Sequence, residues 1–505
     1  MAKENLTPSQ TDGVAYRRAK LWQIILVAFN AFNGMAMYFL IGLASYSASI
    51  GYGIATLVVG GLLTFTRIFD AVTDPLLAFV YDRCNTPFGK VRPLMLLGWI
   101  IQSAGVLCMF NFFSGKGHGV GLFLLFYMVY VIGYTMVNMT AQTLPALMTN
   151  DPKQRPTVGV WQTALNYITP MALNILVYTR LMPAFGGSFN QDFLNMVTWL
   201  CVALSFLGVV LVCIGIAEYD KPENFEGIGR KERLKIKDML NVLGHNKPLQ
   251  SYIISASSDK IAQQASSASI VSTMLNGILI GNMGLATTLS MIGMLPSILF
   301  AILGARYAGK HGNKESIVTW TRNSIIANVV MIFFFVITFT TGGTHTIAHM
   351  GVTMIVFVVL TFLVNGFSMC VTTANTGFMA DIIDFELDRS GKYIPAVITG
   401  TYSLVDKIVS SFSAAIATGC VALIGYTSTM PQPTDEATAG VFWMTMFLRY
   451  GLAIFGFICT LLAMRGCKLD KAEMVEVQKR IAEKKAEKQS AYLEKELHKG
   501  DPENA

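Results

Sequence analysis

Long apolar segments recur along the whole chain and leave it few alternatives to a membrane-spanning helical fold. Hydrophobic residues make up 53% and charged residues 14% of the 505 residues, a composition that excludes an ordinary soluble protein. Each apolar segment is long enough to cross a hydrocarbon core about 30 Å thick. They lie near residues 21–46, 54–81, 93–113, 120–148, 157–180, 193–216, 249–275, 284–305, 315–340, 348–380, 393–425 and 437–464. The pattern predicts an all-α membrane protein with twelve transmembrane helices.

Lysine and arginine residues collect in the loops on one side of the predicted helices. Lys90 and Arg92 follow the second span, for example, and Arg306 and Lys310 follow the eighth. Because short cytoplasmic loops carry the excess of positive charge, we expect this side and both termini to be cytoplasmic. The net charge of +7 is then explained by basic loops facing an anionic lipid bilayer, and no nucleic-acid partner is expected.

A long polar interruption divides the predicted spans six and six. The predicted organisation is a cytoplasmic N-terminus (1–20), a six-helix half (21–217), a central cytoplasmic loop (218–248), a second six-helix half (249–464) and a charged, helical cytoplasmic tail (465–505). A weak repeat supports the division, because the loops after the second and eighth spans, 82–90 and 305–314, both place an Arg before a Gly and a Lys. Two related halves are typical of an alternating-access transporter with a binding site near the midplane.

Two acidic residues, Asp70 and Asp74, lie within the second apolar span. A charge at the centre of a spanning helix costs roughly 2.5 to 3.5 kcal/mol on insertion scales, so the pair needs a proton, a cation or a partner. Residues at positions i and i+4 share a helix face, so both carboxylates can converge on one ion. Arg67, one turn earlier, offers the alternative that it only neutralises the pair.

Further polar residues inside the spans are candidates for ligand binding. On the fourth span Tyr134, Thr135, Asn138 and Gln142 form a stripe that either binds ligands or joins helices. Amides donate and accept hydrogen bonds together, which suits hydroxyl-rich ligands. The other candidates are the amides Asn30, Asn33, Gln162 and Asn166, the eleventh-span residues Ser403, Asp406 and Lys407, and the seventh-span residues Asp259, Lys260, Gln263 and Gln264.

Charged residues in the seventh, ninth and twelfth spans are expected to have different roles. Neighbouring Asp and Lys residues do not share a helix face, so the members of the Asp259/Lys260 pair are each expected to have a partner on another helix. Arg322 and Arg449 are interpreted as structural charges or as side chains that extend to the membrane interface.

Two separated motifs closely resemble one transporter family. The run 67–93 contains Arg-x-x-Asp-x-x-x-Asp-Pro and then Phe-Gly-Lys-x-Arg-Pro, and it resembles the glycoside-pentoside-hexuronide:cation symporters, the melibiose permease branch of the major facilitator superfamily. Residues 380–386 resemble the family's Ala-Asp-x-x-Asp-Tyr segment after the tenth helix, and Lys407 follows at the spacing of the family's helix-XI lysine. The resemblance covers nearly the whole chain and implies the major facilitator fold.

The resemblance implies symport of a sugar or sugar derivative with Na⁺, H⁺ or Li⁺. By resemblance Asp70 and Asp74 match the cation-binding acids and so offer a Na⁺ site. Thr135 matches a hydroxyl near that site, with Asn138 beside it, and Lys407 matches the lysine that connects ion and sugar.

The chain departs from melibiose permeases at several positions. Asn138 stands where they have an acid on helix IV, which makes H⁺ coupling more plausible here than in the Na⁺-preferring members. Their helix-V arginine falls near Thr163, and their aromatic sugar-stacking positions on helices IV and X fall at Gln142 and Thr372. We therefore expect a ligand other than a galactoside.

The candidate residues fall into a substrate-binding set and a coupling or gating set. The substrate-binding set comprises Asn30, Asn33, Asn138, Gln142, Gln162, Asn166, Thr372, Ser403, Asp406 and Lys407. Coupling, or locking of the cytoplasmic side in an outward-open state, is assigned to Arg67, Asp82, Arg83, Arg92, Arg306, Asp381 and Asp384.

Symport of a sugar or glycoside with H⁺ or Na⁺ across a bacterial cytoplasmic membrane is the favoured function, with no cofactor and no obligate protein partner. A proton-driven exporter of drug-like compounds is the alternative on the same fold, although the amide-rich stripes argue against an apolar cavity. A membrane enzyme is not expected, because the six histidines form no constellation with Ser or Cys.

Overall fold

The described part of the chain is almost entirely helical. The computed structural model describes residues 6–8, 15–83, 86, 88–149, 155–221, 242–391, 394–481 and 483. Two short strands, β1 (Leu6–Pro8) and β2 (Ala15–Arg17), pair antiparallel before the first helix. A further helical stretch, residues 471–481, follows the last long helix and is called the tail helix below.

Twelve long helical stretches, numbered α1 to α12, follow one another along the described residues. The first six are α1 (Leu21–Gly51), α2 (Thr56–Arg83), α3 (Val91–Phe112), α4 (Gly119–Met148), α5 (Arg155–Asn174, continued by Ile175–Leu181 and Met182–Ala184) and α6 (Gln191–Gly215). The others are α7 (Lys247–Ser266, continued by Ser269–Ser272 and Thr273–Leu279), α8 (Met283–His311), α9 (Asn313–Thr340), α10 (Val352–Ser390), α11 (Pro395–Ser411 and Ser413–Leu423) and α12 (Ala439–Gly466).

Eight of these helices are long and apolar enough to cross a membrane, judged over the described residues. They are α1, α3, α4, α6, α9, α10, α11 and α12. The remaining four are α2, α5, α7 and α8, of which α2 and α7 carry the charged groups Asp70, Asp259 and Lys260. The all-helical fold is therefore confirmed, and a membrane span for each of the twelve stays a prediction.

The helices pack as two bundles, α1 to α6 and α7 to α12, that touch along α2 with α11 and along α5 with α8. One apolar cluster joins the two bundles at the end where the α1–α2, α5–α6 and α11–α12 connections lie, which we call the closed end. At the opposite end, the termini end, each bundle has its own separate apolar cluster.

Hydrogen bonds between the bundles, as far as the described residues show, are concentrated toward the closed end. The Tyr46 hydroxyl of α1 donates to Thr273 Oγ1 of α7 over 2.8 Å and to the Pro431 carbonyl over 3.0 Å. The Thr56 amide donates to the Thr427 carbonyl over 3.0 Å. The α11–α12 connection thus fastens the second bundle to the first.

Two segments predicted as loops are helical in the structure. Residues 380–386, predicted to follow the tenth helix, lie inside α10, which continues to Ser390 and ends before Gly391 at φ 70°. Residues 305–314 are helical except for Gly312, whose φ of 94° separates α8 from α9. Apolarity ends where the bilayer ends, whereas a helix continues until its backbone is interrupted, and glycine readily adopts the required positive φ.

Candidate functional site

A charged contact between the two bundles involves α2 and α11. Lys407 Nζ lies 3.7 Å from Asp70 Oδ2, and the two side chains are 40% and 20% exposed. Thr135 of α4 donates a hydrogen bond from Oγ1 to Asp70 Oδ1 over 2.9 Å. One carboxylate therefore has a neutral donor from its own bundle and a cation from the other bundle.

Arg67 lies one helical turn from Asp70 and faces the tyrosines of α4. Its guanidinium is within electrostatic range of the Asp70 carboxylate and of the hydroxyls of Tyr127, Tyr130 and Tyr134. The rings of Tyr130 and Tyr134 stack with their centroids 5.7 Å apart. Among the described ion pairs Asp70 is joined to Lys407 and not to Arg67.

Tyr127 and Tyr130 were not singled out from the sequence. With Tyr134 they stand at spacings of three and four, so the same helical periodicity that predicted the Tyr134 to Gln142 stripe extends to them. Helical spacing alone therefore predicts that Tyr127 and Tyr130 share the face of α4 that carries Tyr134.

Close packing between α2 and α11 holds this contact in place. The Thr64 hydroxyl donates to the Ser411 carbonyl over 3.1 Å, less than two turns from Asp70 toward the closed end. At Gly60 a Cβ atom would lie 1.8 Å from Thr418 Oγ1 and 3.0 Å from the Ala415 Cα. A glycine is required there because the two helices approach too closely for a side chain.

The second bundle contains a polar cavity of about 560 Å³. Such a volume is within the usual range for small-molecule sites. Polar residues from five helices line it, including Asp259, Lys260, Gln263, Asn328, Asn365, Ser368, Thr372, Asn375, Thr376, Tyr402 and Arg449. Sequence reasoning identified the α7 residues and Thr372 but missed Asn328, Asn365 and Asn375 of α9 and α10. Asn328 and Asn365 stand singly in apolar runs, whereas Asn375 lies among threonines.

The charged pair of α7 has partners on other helices, as expected. Asp259 Oδ1 accepts a hydrogen bond from Thr460 Oγ1 of α12 over 3.3 Å. Lys260 interacts electrostatically with Asp406 of α11, whose carboxylate also contacts the Tyr402 hydroxyl. Asp406 therefore lies against residues of its own bundle, while its neighbour Lys407 lies against Asp70.

Asn33 does not fit its predicted role in substrate binding. It is 3% exposed, and its side-chain oxygen accepts hydrogen bonds from Gln102 Nε2 of α3 and Ser205 Oγ of α6. The amide thus joins three helices of the first bundle, and we remove it from the substrate-binding set as a correction.

The other predicted amides are placed differently. Asn138 of α4 and Asn166 of α5 are exposed, and Gln162 is half-buried. Asn30 has a buried side-chain oxygen with no hydrogen-bond partner in the described part of the chain. On α11, Ser403 is exposed one turn before Lys407.

Four predicted residues lie outside the side chains that the structure describes. They are Asp74, Asp82, Arg83 and Gln142.

Three of the described gating candidates, Arg92, Asp381 and Asp384, have hydrogen-bond partners that do not belong to the opposite bundle. The Arg92 amide donates to Asp220 Oδ2 over 2.8 Å, and its Nε lies 3.4 Å from the same atom. Asp381 accepts from Asn313 Nδ2 over 2.8 Å. Asp384 accepts from Gln478 Nε2 of the tail helix over 2.7 Å. Arg306 is exposed.

The sequence matches known transporters over most of its length. The model of the family described as MFS/sugar transport protein matches residues 24–471. The putative glycoside/cation symporter YagG of Escherichia coli (strain K12) is 23% identical over 404 residues, which cover 78% of this chain and 81% of that protein. The lactose permease of Lactobacillus helveticus is 21% identical over 498 residues, covering 92% and 72%.

Solved structures show the same fold at low sequence identity. A mutant of the nucleoside transporter NupG superposes with a TM-score of 0.61 at 13% identity, covering 88% of this chain and 99% of that one. A bacterial homologue of the iron transporter ferroportin in its inward-facing state gives a TM-score of 0.57 at 11% identity, covering 88% and 98%. The fold is that of a major facilitator transporter.

Proposed function

Because this chain belongs to the MFS/sugar transport protein family, we propose that it takes up a sugar or glycoside by symport with H⁺ or Na⁺. It is a multi-pass protein of the bacterial cell membrane, and its relatives are transporters rather than enzymes. The names of the relatives support the proposal, since YagG is a putative glycoside/cation symporter and another relative is a lactose permease.

The single observation that carries the coupling mechanism is the contact of Lys407 with Asp70 at 3.7 Å. In the absence of a coupling ion, Lys407 neutralises the carboxylate. A cation or proton that binds Asp70, together with Asp74, displaces the ammonium group, which then becomes available to hydroxyls of the sugar. Ion and sugar binding are thereby linked, and each raises the affinity for the other by the same factor.

We place the termini end in the cytoplasm, following the distribution of Lys and Arg. With that orientation the closed end is extracellular, and the state described here is inward-open. This assignment is supported by the shared apolar cluster at the closed end and by the separate clusters at the termini end. In the outward-open state Arg92, Asp381 and Asp384, with Asp82, Arg83 and Arg306, would lock the cytoplasmic side.

The coupling ion is proposed to be H⁺ in preference to Na⁺. Asn138 lies one turn from Thr135 on α4 and supplies an amide where Na⁺-preferring relatives supply a carboxylate. A site with fewer negative charges has less to offer a sodium ion, whereas one carboxylate is enough to carry a proton.

The proposed sugar site lies between the bundles. Asn138, Asn166 and Ser403 are exposed, and Thr372 lines the polar cavity of the second bundle. Amide groups can donate and accept hydrogen bonds together, which suits a sugar. We assign to it Asn30, Asn138, Gln142, Gln162, Asn166, Thr372, Ser403, Asp406 and Lys407.

Uptake into right-side-out vesicles tests the proposal. Radiolabelled glycosides are supplied with an imposed H⁺ gradient, an imposed Na⁺ gradient or none, and Asp70→Asn serves as the uncoupled variant. Accumulation that requires a gradient in the wild type and is lost in Asp70→Asn is the expected result. Gradient-independent equilibration of every glycoside, or export of drug-like cations, would refute sugar symport.

A proton-driven exporter on the same fold is the second candidate. The polar lining of the 560 Å³ cavity, with its asparagines and charged groups, argues against apolar cargo. Binding of an apolar dye in competition with glycosides would favour the exporter.

A further inference from the structure

Two outer helices of the second bundle expose stripes of apolar side chains that end in arginine. On α9 the exposed residues are Arg322, Ile326, Val329, Val330, Phe333 and Ile337, and on α12 they are Phe455, Ile458, Leu462 and Arg465. These spacings of three and four place each set on one helix face. In a chain that spans a membrane, exposed apolar faces of this length contact lipid chains.

The two stripes meet at a groove between α9 and α12. The groove has a volume of about 380 Å³ and lies at the termini end, where α9 begins and α12 ends. Three cations line it, namely Lys314, Arg322 and Arg465, among apolar residues such as Val318 and Leu462. Its described lining includes no carboxylate.

Within the described part of the chain, no acidic side chain lies within 4.0 Å of the nitrogen atoms of these three cations. None of the ion pairs found there includes Lys314, Arg322 or Arg465. A basic residue on a lipid-facing stripe is costly unless an anion approaches it. The lining of the groove therefore suits a ligand with a negative head and apolar chains.

We propose that this groove binds the headgroup of one anionic phospholipid, phosphatidylglycerol, from the leaflet at the termini end. Lys314 and Arg465 lie at headgroup level, and Arg322 lies about 12 Å further along α9, at 1.5 Å per residue. The phosphate lies at Lys314 and Arg465, Arg322 lies deeper in the groove, and the acyl chains lie along the apolar stripes of α9 and α12. Basic pockets between transmembrane helices on the cytoplasmic side are a recognised form of anionic lipid site.

The lipid restrains α9 against α12, two helices that belong to one bundle. Because Lys314, Arg322 and Arg465 belong neither to the Asp70 contact nor to the lining of the polar cavity, lipid binding is separable from sugar and ion binding. Its loss is expected to lower the stability of the second bundle without changing substrate affinity.

Native mass spectrometry of the full chain in detergent tests the proposal. Dioleoyl phosphatidylglycerol and dioleoyl phosphatidylethanolamine are titrated separately against the wild type, the variant R322Q/R465Q and the control K20Q/K468Q. Each variant loses two exposed cations at the termini end, but only the first alters the groove. At about fivefold per cation, R322Q/R465Q is expected to bind the first phosphatidylglycerol about thirtyfold more weakly.

The control is expected to bind phosphatidylglycerol as the wild type does, and phosphatidylethanolamine binding is expected to be equal in all three proteins. Equal losses in both variants would overturn the proposal, since they would show only a general attraction of the basic surface. Displacement of the lipid by millimolar inorganic phosphate would also overturn it, because the groove would then be a site for a free anion. Melting temperatures in lipid-free detergent verify folding, and the single variants R322Q and R465Q replace the double variant where it is unstable.

Discussion

Replacement of Lys407 by Gln tests the exchange of partners at Asp70. In the wild type a coupling ion has to displace the ammonium group that lies 3.7 Å from the carboxylate. Gln keeps a hydrogen-bonding group on a side chain one atom shorter and removes the charge. Lys407→Gln is therefore expected to bind the coupling ion more tightly than the wild type.

The magnitude follows from the geometry. Coulomb's law with an effective dielectric constant of about 20 gives an attraction of about 4.5 kcal/mol at 3.7 Å. Lys407 is 40% and Asp70 20% exposed, so water screens the pair and we reduce the value to about 2 kcal/mol. That difference corresponds to an affinity increase of roughly thirtyfold.

Calorimetric titration of the purified protein measures the effect. Na⁺ is titrated at fixed pH, and proton uptake is followed in weakly buffered solution, for the wild type, Lys407→Gln and the charge-preserving control Lys407→Arg. Tighter ion binding in Lys407→Gln alone, with the ion no longer promoting sugar binding, is the expected result. Unchanged or weaker ion binding in Lys407→Gln would refute the exchange, because Lys407 would not be competing for Asp70.

Three further substitutions test neighbouring parts of the structure. Thr135→Val removes the donor to the ionised Asp70 carboxylate, so with H⁺ coupling half-maximal uptake is expected to move to higher pH; an unchanged pH dependence would count against this contact. Asn33→Leu leaves two buried donors without an acceptor and is expected to lower the free energy of unfolding by roughly 2 kcal/mol, measured by thermal unfolding, while the KM for sugar stays constant. Gly60→Val cannot be accommodated beside Thr418, so α2 and α11 are expected to separate near the closed end. A cysteine introduced at the closed end is then expected to react faster with a membrane-impermeant maleimide. Equal labelling would show that the contact between α2 and α11 accommodates the larger side chain.

The helical fold and the central acid were accessible to sequence reasoning for clear physical reasons. Apolar length is set by the thickness of the bilayer, and a charge in such a segment is costly enough to be informative. Asp70 and Lys407 were both identified in this way. Their direct contact was not, because periodicity gives the face of a helix but not the helix that it meets.

The sequence pattern does not distinguish an amide that joins helices from one that is free to bind a ligand. Asn33 joins helices and Asn138 is exposed, yet both are single amides on apolar helices. Helix boundaries failed for a related reason at residues 380–386, since charged residues end an apolar segment without ending the helix. The closed-end bonds of Tyr46 were also missed, because backbone carbonyls of a connection leave no mark in the sequence.

The hydrogen-bond partners of Asp381 and Asp384 on α10 affect the free-energy difference between the outward-open state and the state described here. Asp381 and Asp384 are held by Asn313 and by Gln478 of the tail helix. For these carboxylates to lock onto the first bundle, as we propose for the outward-open state, both hydrogen bonds have to break, at about 1.5 to 3 kcal/mol each. New contacts of similar strength to the first bundle would offset that loss, so the free energies of the outward-open state and of the state described here stay close. Ion and sugar then shift the population if they bind one of the two states more strongly by a few kcal/mol. Because Gln478 belongs to the tail helix, we infer that the tail favours the state described here and takes part in setting this balance.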